Sequence, residues 1–381
     1  MLHIGLDGSR IAKDKYTGTE NYSHTIYEQI FRVAPHHEYT IYAPKMPSKP
    51  LATGQAKVNY RIIPFPKLWT QVRLSWEFAT QQRPDILFVP SHTIPIVHPA
   101  GVVNTVHDLG FEHFPAYYSK IERAYQRFAL WQATHASNRL IAVSEATKQD
   151  IVRHTKFPAD RIHVIHHGVN QEQFYPLLST DIPPKKLAAL RPYFFYIGRL
   201  EAKKNIVRLL QAFRRMKEKS QAPHKLILAG KPGQHGFGEI QAELESLPTS
   251  IREQIILPGY VSDHDYAIWL RFSEALVFPT GFEGFGLPAL EAMSSGVPAI
   301  VSRNSSLPEI VGDAGLLVNE TKSEAIADAM LRIINEPALR DQLIARGLAR
   351  ARQFTWETAA RKTIGVLELV AQETAIKQRN A

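Results

Sequence analysis

Short apolar runs alternate with longer amphipathic stretches along most of this chain, a pattern typical of strands joined by helices. The stretch 193–198 is almost continuously apolar, which indicates a strand buried on both faces. Similar runs predict further strands at 2–8, 39–43, 58–64, 85–90, 102–109, 139–144, 162–165, 225–229, 254–257, 275–278 and 297–301. Strands that alternate with helices predict an α/β fold with mainly parallel sheets.

Two domains are expected from the length of 381 residues, because a domain usually holds about 150 residues. The strand–helix alternation restarts after the proline-rich, irregular segment 176–192, which we interpret as the linker between the domains. The predicted domains are therefore 1–175 and 193–354, followed by a final helix within 355–381.

One strand–turn–helix segment has the most distinctive pattern. Its helix starts near Pro288 and stops at Gly296, and the turn before it is broken by Gly281, Gly284 and Gly286. Glu283 and Glu291 bracket the turn with seven residues between them. A helix N-terminus attracts phosphate, whereas carboxylates are suited to accept hydrogen bonds from hydroxyl groups. Phosphate and hydroxyls side by side indicate a sugar nucleotide as the ligand.

Three further stretches place polar or small residues at predicted strand ends, where open parallel sheets bind ligands. His107 and Asp108 follow one apolar strand. Arg199 and Lys204 follow another and precede a helix, so they form a candidate clamp for an anion. The turn 15–20 precedes the first helix, but it lacks the Gly-x-Gly-x-x-Gly pattern of dinucleotide-binding loops.

These motifs resemble those of the retaining, B-fold glycosyltransferases of family 4, the group 1 glycosyltransferases. Glu283-Gly-Phe-Gly-Leu-Pro-Ala-Leu-Glu291 matches their Glu-x7-Glu signature, and Gly198-Arg199-Leu200 with Lys204 matches their Gly-Arg-Leu-x-x-x-Lys. The resemblance covers nearly the whole chain. It implies two Rossmann-like domains that face each other across a cleft (the GT-B fold), with the final helix crossing back to the N-terminal, acceptor-binding domain.

The resemblance also implies roles for single residues. Glu283 would hold hydroxyls of the donor sugar and Glu291 the nucleotide ribose, while His107 would contact the sugar near its reacting carbon. The implied catalytic residues are His107, Glu283, Arg199 and Lys204, the last two acting on the diphosphate. The implied donor-binding residues are Gly18, Thr19, Gly198, Arg199, Lys204, Tyr260, Val261, Glu283, Gly284, Phe285, Gly286, Leu287 and Glu291.

The implied reaction moves a hexose from a nucleoside diphosphate sugar to an acceptor hydroxyl, with retention, in glycan or glycolipid synthesis. GDP-mannose is the first choice of donor, and UDP- or ADP-glucose is the alternative. No metal or other cofactor is expected, because Arg199 and Lys204 would supply the positive charge. Asp263-His-Asp265 matches the metal-binding Asp-x-Asp of A-fold glycosyltransferases, but Ser262 or Asp263 is better interpreted as a helix N-cap.

Composition and charge limit the kinds of partner expected for this chain. The net charge of +9 favours anionic partners, and the absence of cysteine excludes disulfides and thiolate zinc sites. No zinc-finger spacing, RNP-type motif or dense basic block is present, so nucleic acid is not an expected partner. The start of the chain has no basic leader, and no apolar run reaches about 18 residues, so a cytoplasmic protein is expected.

The predicted helix at 68–78 is the basis for a further expectation, a peripheral contact with an anionic membrane. The expected acceptor is lipid-linked or a glycan. The apolar stripe of this helix would contain Leu68, Val72, Ser75 and Phe78, and Trp69, Arg73 and Trp76 would share a neighbouring face. Three other interpretations remain: a phosphorylase or epimerase of the same fold, a dinucleotide-binding oxidoreductase, and a non-catalytic lipid- or nucleic-acid-binding protein.

Overall fold

The computed structural model describes residues 1–91 and 93–379, and the chain forms two compact units. The first unit contains Met1–Gly168 and Thr355–Ala381. The second contains Val169–Phe354.

The second unit begins before the predicted linker at 176–192. Side chains of this unit bind the backbone ahead of the linker. The hydroxyl of Ser294 donates to the carbonyl of Phe174 (2.6 Å), and the guanidinium of Arg271 donates to the carbonyl of Tyr175 (3.0 Å). These buried side chains fix the segment to the second unit, which a composition pattern alone does not reveal.

The first unit is built around a parallel sheet flanked by helices. Its strands are β1 (His3–Asp7), β2 (Glu38–Ala43), β3 (Lys57–Ile62), β4 (Ile86–Val89), β5 (Gly101–Val106), β6 (Arg139–Ala142) and β7 (Ile162–Val164). Its helices before the second unit are α1 (Gly18–Val33), α2 (Ser75–Thr80), α3 (Gly110–His113), α4 (Lys120–Ala136) and α5 (Glu145–His154). The strands lie in the order β3-β2-β1-β4-β5-β6-β7, and their pairings are parallel.

Both faces of this sheet are buried, because successive side chains of a strand point to opposite faces. Ile86 and Phe88 of β4 join a core that includes Ile26 of α1. Leu87, between them, joins a second core with Phe78 of α2. Burial on two sides explains why the strands appear in the sequence as nearly continuous apolar runs.

The second unit has a parallel sheet of the same kind. Its strands are β8 (Tyr193–Ile197), β9 (Lys225–Ala229), β10 (Ile255–Gly259), β11 (Ala275–Phe278), β12 (Ala299–Ser302) and β13 (Leu316–Val318). Its helices are α6 (Lys185–Ala188), α7 (Ile206–Lys219), α8 (Phe237–Ser246), α9 (Thr249–Arg252), α10 (Asp263–Arg271), α11 (Leu287–Ser294), α12 (Leu307–Val311), α13 (Ser323–Asn335) and α14 (Pro337–Ala351). The strand order is β10-β9-β8-β11-β12-β13. The sequence did not predict β13, whose apolar run is very short.

The final helix, α15 (Trp356–Arg379), belongs to the first unit although it follows the second in the sequence. Leu367 and Val370 of this helix lie in the same core as α1. The guanidinium of Arg139 donates to the carboxylate of Glu373 (2.5 Å) and adds a polar contact. Burial of its apolar face therefore holds α15 on the sheet of the first unit.

The predicted helix at 68–78 has a different register from the one expected. Leu68 adopts a left-handed conformation (φ +54°), and Trp69–Leu74 forms a π-helical stretch before α2. Because the π turn is wider than the α turn, the buried positions shift, and Leu68 and Val72 are exposed. The predicted apolar stripe is therefore wrong at Leu68 and Val72, whereas Ser75 and Phe78 are buried as expected.

The side chains of Trp69, Arg73 and Trp76, which were predicted to share a neighbouring face, lie in different environments. Trp69 is buried, and its indole N–H donates to the carbonyl of Ile63 (2.7 Å), whereas Trp76 is 64% exposed. Arg73 forms an ion pair with the buried carboxylate of Glu77 (3.0 Å).

Among the helices of residues 1–91 and 93–379, none has the length and apolar character needed to cross a membrane.

Candidate functional site

Most predicted donor-binding residues lie in two loops that leave neighbouring strands of the second unit. Strands β8 and β11 pair in parallel, with Ala275 opposite Phe194. The loop 198–205 follows β8, and the loop 279–286 follows β11. Both loops leave the same edge of the sheet at the point where the strand order reverses, which is where open α/β sheets bind ligands.

Hydrogen bonds tie these two loops together. Asn205 (φ +61°) ends the short 3₁₀ turn Ala202–Lys204, and its side-chain amide donates to the carbonyl of Pro279 (2.9 Å). The backbone N–H of Gly281 donates to the carbonyl of Lys203 (2.9 Å). The lysine-bearing turn is therefore held against the first residues of the glutamate-bearing loop.

Lys204 and Glu283 form an ion pair between the loops, in which the ammonium donates to Oε1 of the carboxylate. Their side chains are only 16% and 17% exposed. The backbone of Glu283 is held on both sides, because its N–H donates to Oγ of Ser305 (3.1 Å) and its carbonyl accepts from Oγ of Ser306 (2.9 Å). The structure thus brings two predicted catalytic residues into direct contact.

Helix α11 begins beside this pair at a position that needs glycine. Gly286 has a φ of +95°, and a Cβ there would lie 2.5 Å from Cδ2 of Leu307. Pro288 occupies the first turn, where its missing N–H removes no helical hydrogen bond. The N–H of Ala289 already donates to the carbonyl of Gly286 (3.0 Å), whereas the N–H of Leu287 precedes the first helical hydrogen bond and is the kind of donor that binds phosphate.

Glu291 lies further along α11, where its carboxylate accepts a hydrogen bond from the hydroxyl of Tyr266 (2.6 Å). Burial raises the pKa of Glu291 to about 7, while the Tyr266 hydrogen bond opposes this shift and the charge of Asp263 adds to it. Near neutral pH, Glu291 is therefore divided between its protonated and ionised forms.

The remaining predicted donor-binding side chains of this unit are more open to solvent. Arg199 is exposed, Tyr260 is 66% exposed, and Val261 is partly buried. The ammonium of Lys231 lies 5.0 Å from the centre of the Tyr260 ring. An exposed aromatic ring beside a cation is suited to stack on a nucleotide base.

The Asp263-His-Asp265 segment begins α10, and Ser262 is its N-cap. Oγ of Ser262 accepts from the N–H of Asp265 (3.2 Å) and donates to its carboxylate (2.8 Å). Both aspartates stand in the first turn, where negative charge is favourable. The clusters of metal-ligating side chains found among the described residues do not include these two.

His107, Gly18 and Thr19 belong to the first unit. Nε2 of His107 lies 2.8 Å from the carbonyl oxygen of Pro90, and since a carbonyl only accepts, Nε2 carries the ring proton. Burial lowers the pKa of His107, although the Pro90 hydrogen bond and the charge of Asp108 oppose the shift. The imidazole is therefore neutral at pH 7, with Nδ1 as its acceptor nitrogen.

His107 is part of a cluster of rings that sequence analysis missed. The ring of Tyr22 lies 4.8 Å from that of His107 and 4.7 Å from that of His167. His167 in turn stacks on Trp356 at 5.6 Å. The rings come from α1, α15 and the segments after β5 and β7, so no local sequence signal could have joined them.

Gly18 and Thr19 begin α1, and a neighbouring carboxylate was also missed. Glu20 accepts hydrogen bonds from Thr17 in a capping box and from the ammonium of Lys13 (2.9 Å). Burial alone would raise the pKa of Glu20, but these bonds and the charge of Lys13 lower it to about 2. The Thr-x-x-Glu spacing of a capping box is the signal that could have identified it.

Comparison with known proteins shows two family matches. The group 1 glycosyl transferase model matches residues 180–350, and the Glycosyltransferase Family 4 model matches residues 16–173. The O-antigen chain mannosyltransferase B of Escherichia coli is 34% identical over 272 residues, which are 70% of this chain and 70% of that protein. The serotype-specific mannosyltransferase WbdA of Escherichia coli is 26% identical over 284 residues, which are 72% of this chain but 33% of that protein.

A solved structure is similar over nearly the whole chain. The sucrose-phosphate synthase of Thermosynechococcus elongatus has a TM-score of 0.72 at 19% identity, covering 97% of this chain and 99% of that chain. This likeness and the two parallel sheets confirm the predicted fold, which consists of two Rossmann-like α/β domains of the GT-B type.

Proposed function

This chain belongs to the group 1 glycosyltransferases of family 4 and acts in glycan synthesis, and we propose that it transfers a hexose, with retention, from a nucleoside diphosphate sugar to an acceptor hydroxyl. The proposal rests on the Lys204–Glu283 pair beside the start of α11. A cation for phosphate, a carboxylate for hydroxyls and an open helix N-terminus match the adjacent diphosphate and sugar of such a donor.

On this proposal, the second unit holds the donor and stabilises its departing diphosphate. Arg199, Lys204 and the N–H groups near Gly286 and Leu287 would face the negative charge that develops on the leaving group. In the structure, Glu283 neutralises Lys204. A diphosphate would compete for that ammonium and leave the oxygens of Glu283 for the sugar hydroxyls.

Retention is proposed to occur by attack on the same face from which the diphosphate departs. On this proposal Glu283 holds the sugar hydroxyls, and Glu291, which accepts a hydrogen bond from Tyr266, holds the ribose. Neither is therefore assigned as a nucleophile, and a leaving phosphate oxygen would take the proton of the acceptor hydroxyl. His107 is neutral, so the role proposed for it is a hydrogen bond with the sugar and not that of an acid.

GDP-mannose is the proposed donor and mannose is the sugar transferred, because both related proteins named above are mannosyltransferases. UDP- and ADP-glucose are the alternatives. The purified protein should be incubated with each donor, with and without a mannose-terminated oligosaccharide, while nucleoside diphosphate release is measured. We expect acceptor-dependent release from GDP-mannose.

Other outcomes of this screen would separate the alternatives. Faster release from UDP- or ADP-glucose would overturn the donor assignment. Conversion of the donor sugar without an acceptor would indicate an epimerase. Donor binding without turnover of any donor, across a panel of acceptors, would favour a non-catalytic role.

Neither a metal nor another cofactor is part of the proposed reaction. Arg199 and Lys204 supply the charge that a cation would otherwise provide. Asp263 and Asp265, which could be mistaken for a metal-binding pair, stand in the capped first turn of α10. The chelation experiment below tests this part of the proposal.

We also propose a cytoplasmic enzyme that contacts an anionic membrane surface and uses a lipid-linked or glycan acceptor. The support is a set of exposed apolar side chains of the first unit: Phe65, Leu68, Val72, Trp76 and, along α4, Ile121, Tyr125, Phe128 and Trp131. Interfacial aromatic residues near cations bind anionic membrane surfaces weakly and in a salt-sensitive manner.

The wild type should sediment with anionic vesicles at low salt, and Trp76→Gln should reduce sedimentation. Indifference of the wild type to such vesicles would refute the contact.

A further inference from the structure

Three metal-ligating side chains of the first unit come together away from the predicted donor site. His113 ends α3, and Asp150 and His154 lie on α5. Residues four apart in a helix lie on the same face, so Asp150 and His154 point to the same side of α5. The last residue of α3 lies against that side.

The distances within this cluster suit a small cation. Nε2 of His113 lies 2.8 Å from Oδ2 of Asp150, and the rings of His113 and His154 are 6.2 Å apart. One ligand atom from each of the three residues lies within 4.8 Å of the others. Ligand atoms around a tetrahedral zinc ion lie about 3.3 Å apart, so only a modest closure of the widest pair is needed.

The three side chains of the cluster differ in how far they are buried, and the carboxylate is the most buried. The side chain of Asp150 is 8% exposed and that of His113 is 30% exposed, whereas His154 is exposed. A carboxylate removed from water needs a positive partner or hydrogen bonds. Because His154 is exposed, an ion can reach the cluster from solvent on that side.

A second cluster, His36, His37 and Glu368, provides a contrast. The backbone N–H of Leu2 donates to Nδ1 of His37 (3.2 Å), so Nε2 carries the proton and donates to Glu368 (3.1 Å). A metal at that Nε2 would require the loss of the only ring proton. This cluster is therefore a hydrogen-bonded structural contact between β2 and α15.

We propose that His113, Asp150 and His154 bind one divalent cation of the zinc class, with water completing a tetrahedral shell. Two imidazoles and a carboxylate are ligands that zinc accepts, and cysteine is not required. Binding through Nε2 requires the tautomer of His113 that carries its ring proton on Nδ1.

The ion would join α3 to α5 beside a residue of the proposed reaction. His107 lies three residues before α3, and Oγ1 of Thr147 on α5 donates to the carbonyl of His107 (3.3 Å). A bridge from His113 to Asp150 would brace the backbone on which His107 sits. The role inferred is structural, because none of the three proposed ligands is among the residues assigned to the donor or to the reaction.

The experiment uses the full chain without an affinity tag, since tag histidines bind metals. Cobalt(II) is titrated into the protein and followed by its visible absorption, and zinc is then used to displace it. We expect one cobalt ion per chain with the intensity of a four-coordinate site, a rise in melting temperature with zinc, and displacement by an equivalent of zinc.

Two variants separate this cluster from the rest of the chain. His154→Gln removes an exposed ligand without disturbing the core, and it should weaken binding at least about tenfold and abolish the zinc-dependent rise in melting temperature. His36→Gln, in the second cluster, should leave both unchanged. The proposal is overturned if the wild type binds no cobalt, if the two variants bind alike, or if His36→Gln alone loses the ion.

Discussion

The carboxyl edges of the two sheets have the same kind of strand order but different chemistry. In the second unit, the reversal point holds the Lys204–Glu283 ion pair, with Glu291 on the adjoining helix. In the first unit, a neutral histidine lies among the rings of Tyr22, His167 and Trp356. On the proposed function, the charged edge of the second unit holds the anionic donor, and the neutral His107 of the first unit contacts the uncharged sugar. The fold thus determines where ligands bind, and the side chains determine which ones.

The largest expected effect comes from Glu283→Ala at the charged edge. Loss of charged hydrogen bonds worth about 1.5–3 kcal/mol should lower kcat/KM about ten- to hundredfold. Binding of the nucleoside diphosphate should be preserved or tightened, because Lys204 loses its anionic partner. Steady-state kinetics and calorimetry would measure the two quantities. Glu245→Ala, an exposed position on α8, is the matched control, and near-wild-type turnover in Glu283→Ala would refute the assignment.

His107→Ala is the corresponding change at the edge of the first unit. A lost neutral hydrogen bond of about 0.5–1.5 kcal/mol should lower turnover by up to about tenfold. The affinity for the nucleoside diphosphate should not change, because the proposed contact is with the sugar. His135→Ala, an exposed histidine of α4, serves as the control. A fall in nucleotide affinity as large as the fall in turnover would contradict the division of roles between the edges.

Glu291→Ala should weaken nucleoside diphosphate binding by about tenfold, because its proposed partner is the ribose. Tyr266→Phe, which removes only the hydroxyl that donates to Glu291, should have a smaller effect. Calorimetric titration of each variant would measure the difference. If Glu291→Ala lowers turnover but leaves nucleotide affinity intact, then the two glutamates do not have separate partners.

The pH dependence of Glu291 provides a milder test. Since the pKa of Glu291 is raised to about 7, the affinity for the nucleotide sugar, whose diphosphate does not titrate in this range, should increase a few-fold between pH 6 and 8 as the carboxylate forms. The affinity of the Glu291→Gln variant should not change with pH. The folded protein retains this proton above the ordinary pKa of 4.5, so the contribution of Glu291 to the free energy of unfolding falls as pH rises from about 4.5 to 7. A pH-independent affinity in the wild type would argue against ribose binding by the ionised group.

Chelation has the smallest expected effect on the reaction. EDTA should leave turnover unchanged at a temperature well below melting, because Arg199 and Lys204 provide the charge. A lower melting temperature without loss of turnover would be consistent with the ion proposed at α3 and α5. Complete loss of activity that returns with a divalent ion would instead contradict a metal-independent reaction and make Asp263 and Asp265 candidate ligands again.

Much of the fold and the central motif could be predicted from the sequence, because both depend on local patterns. The predicted strands 225–229 and 275–278 coincide with β9 and β11, since buried runs are bounded by glycine, proline or polar residues. Glu283 and Glu291 belong to one continuous segment, so turn chemistry and helix spacing were enough to select them as candidate site residues.

Other features depended on the tertiary structure. Lys204 meets Glu283 across 79 positions of sequence, and the rings of Tyr22, His107 and Trp356 come from both ends of the chain. The π turn at Trp69 was hidden as well, because an apolar pattern there fitted a regular helix. Local periodicity specifies which residues are buried within an element. Contacts between distant segments arise from strand order and register, which follow from the packing of the whole domain.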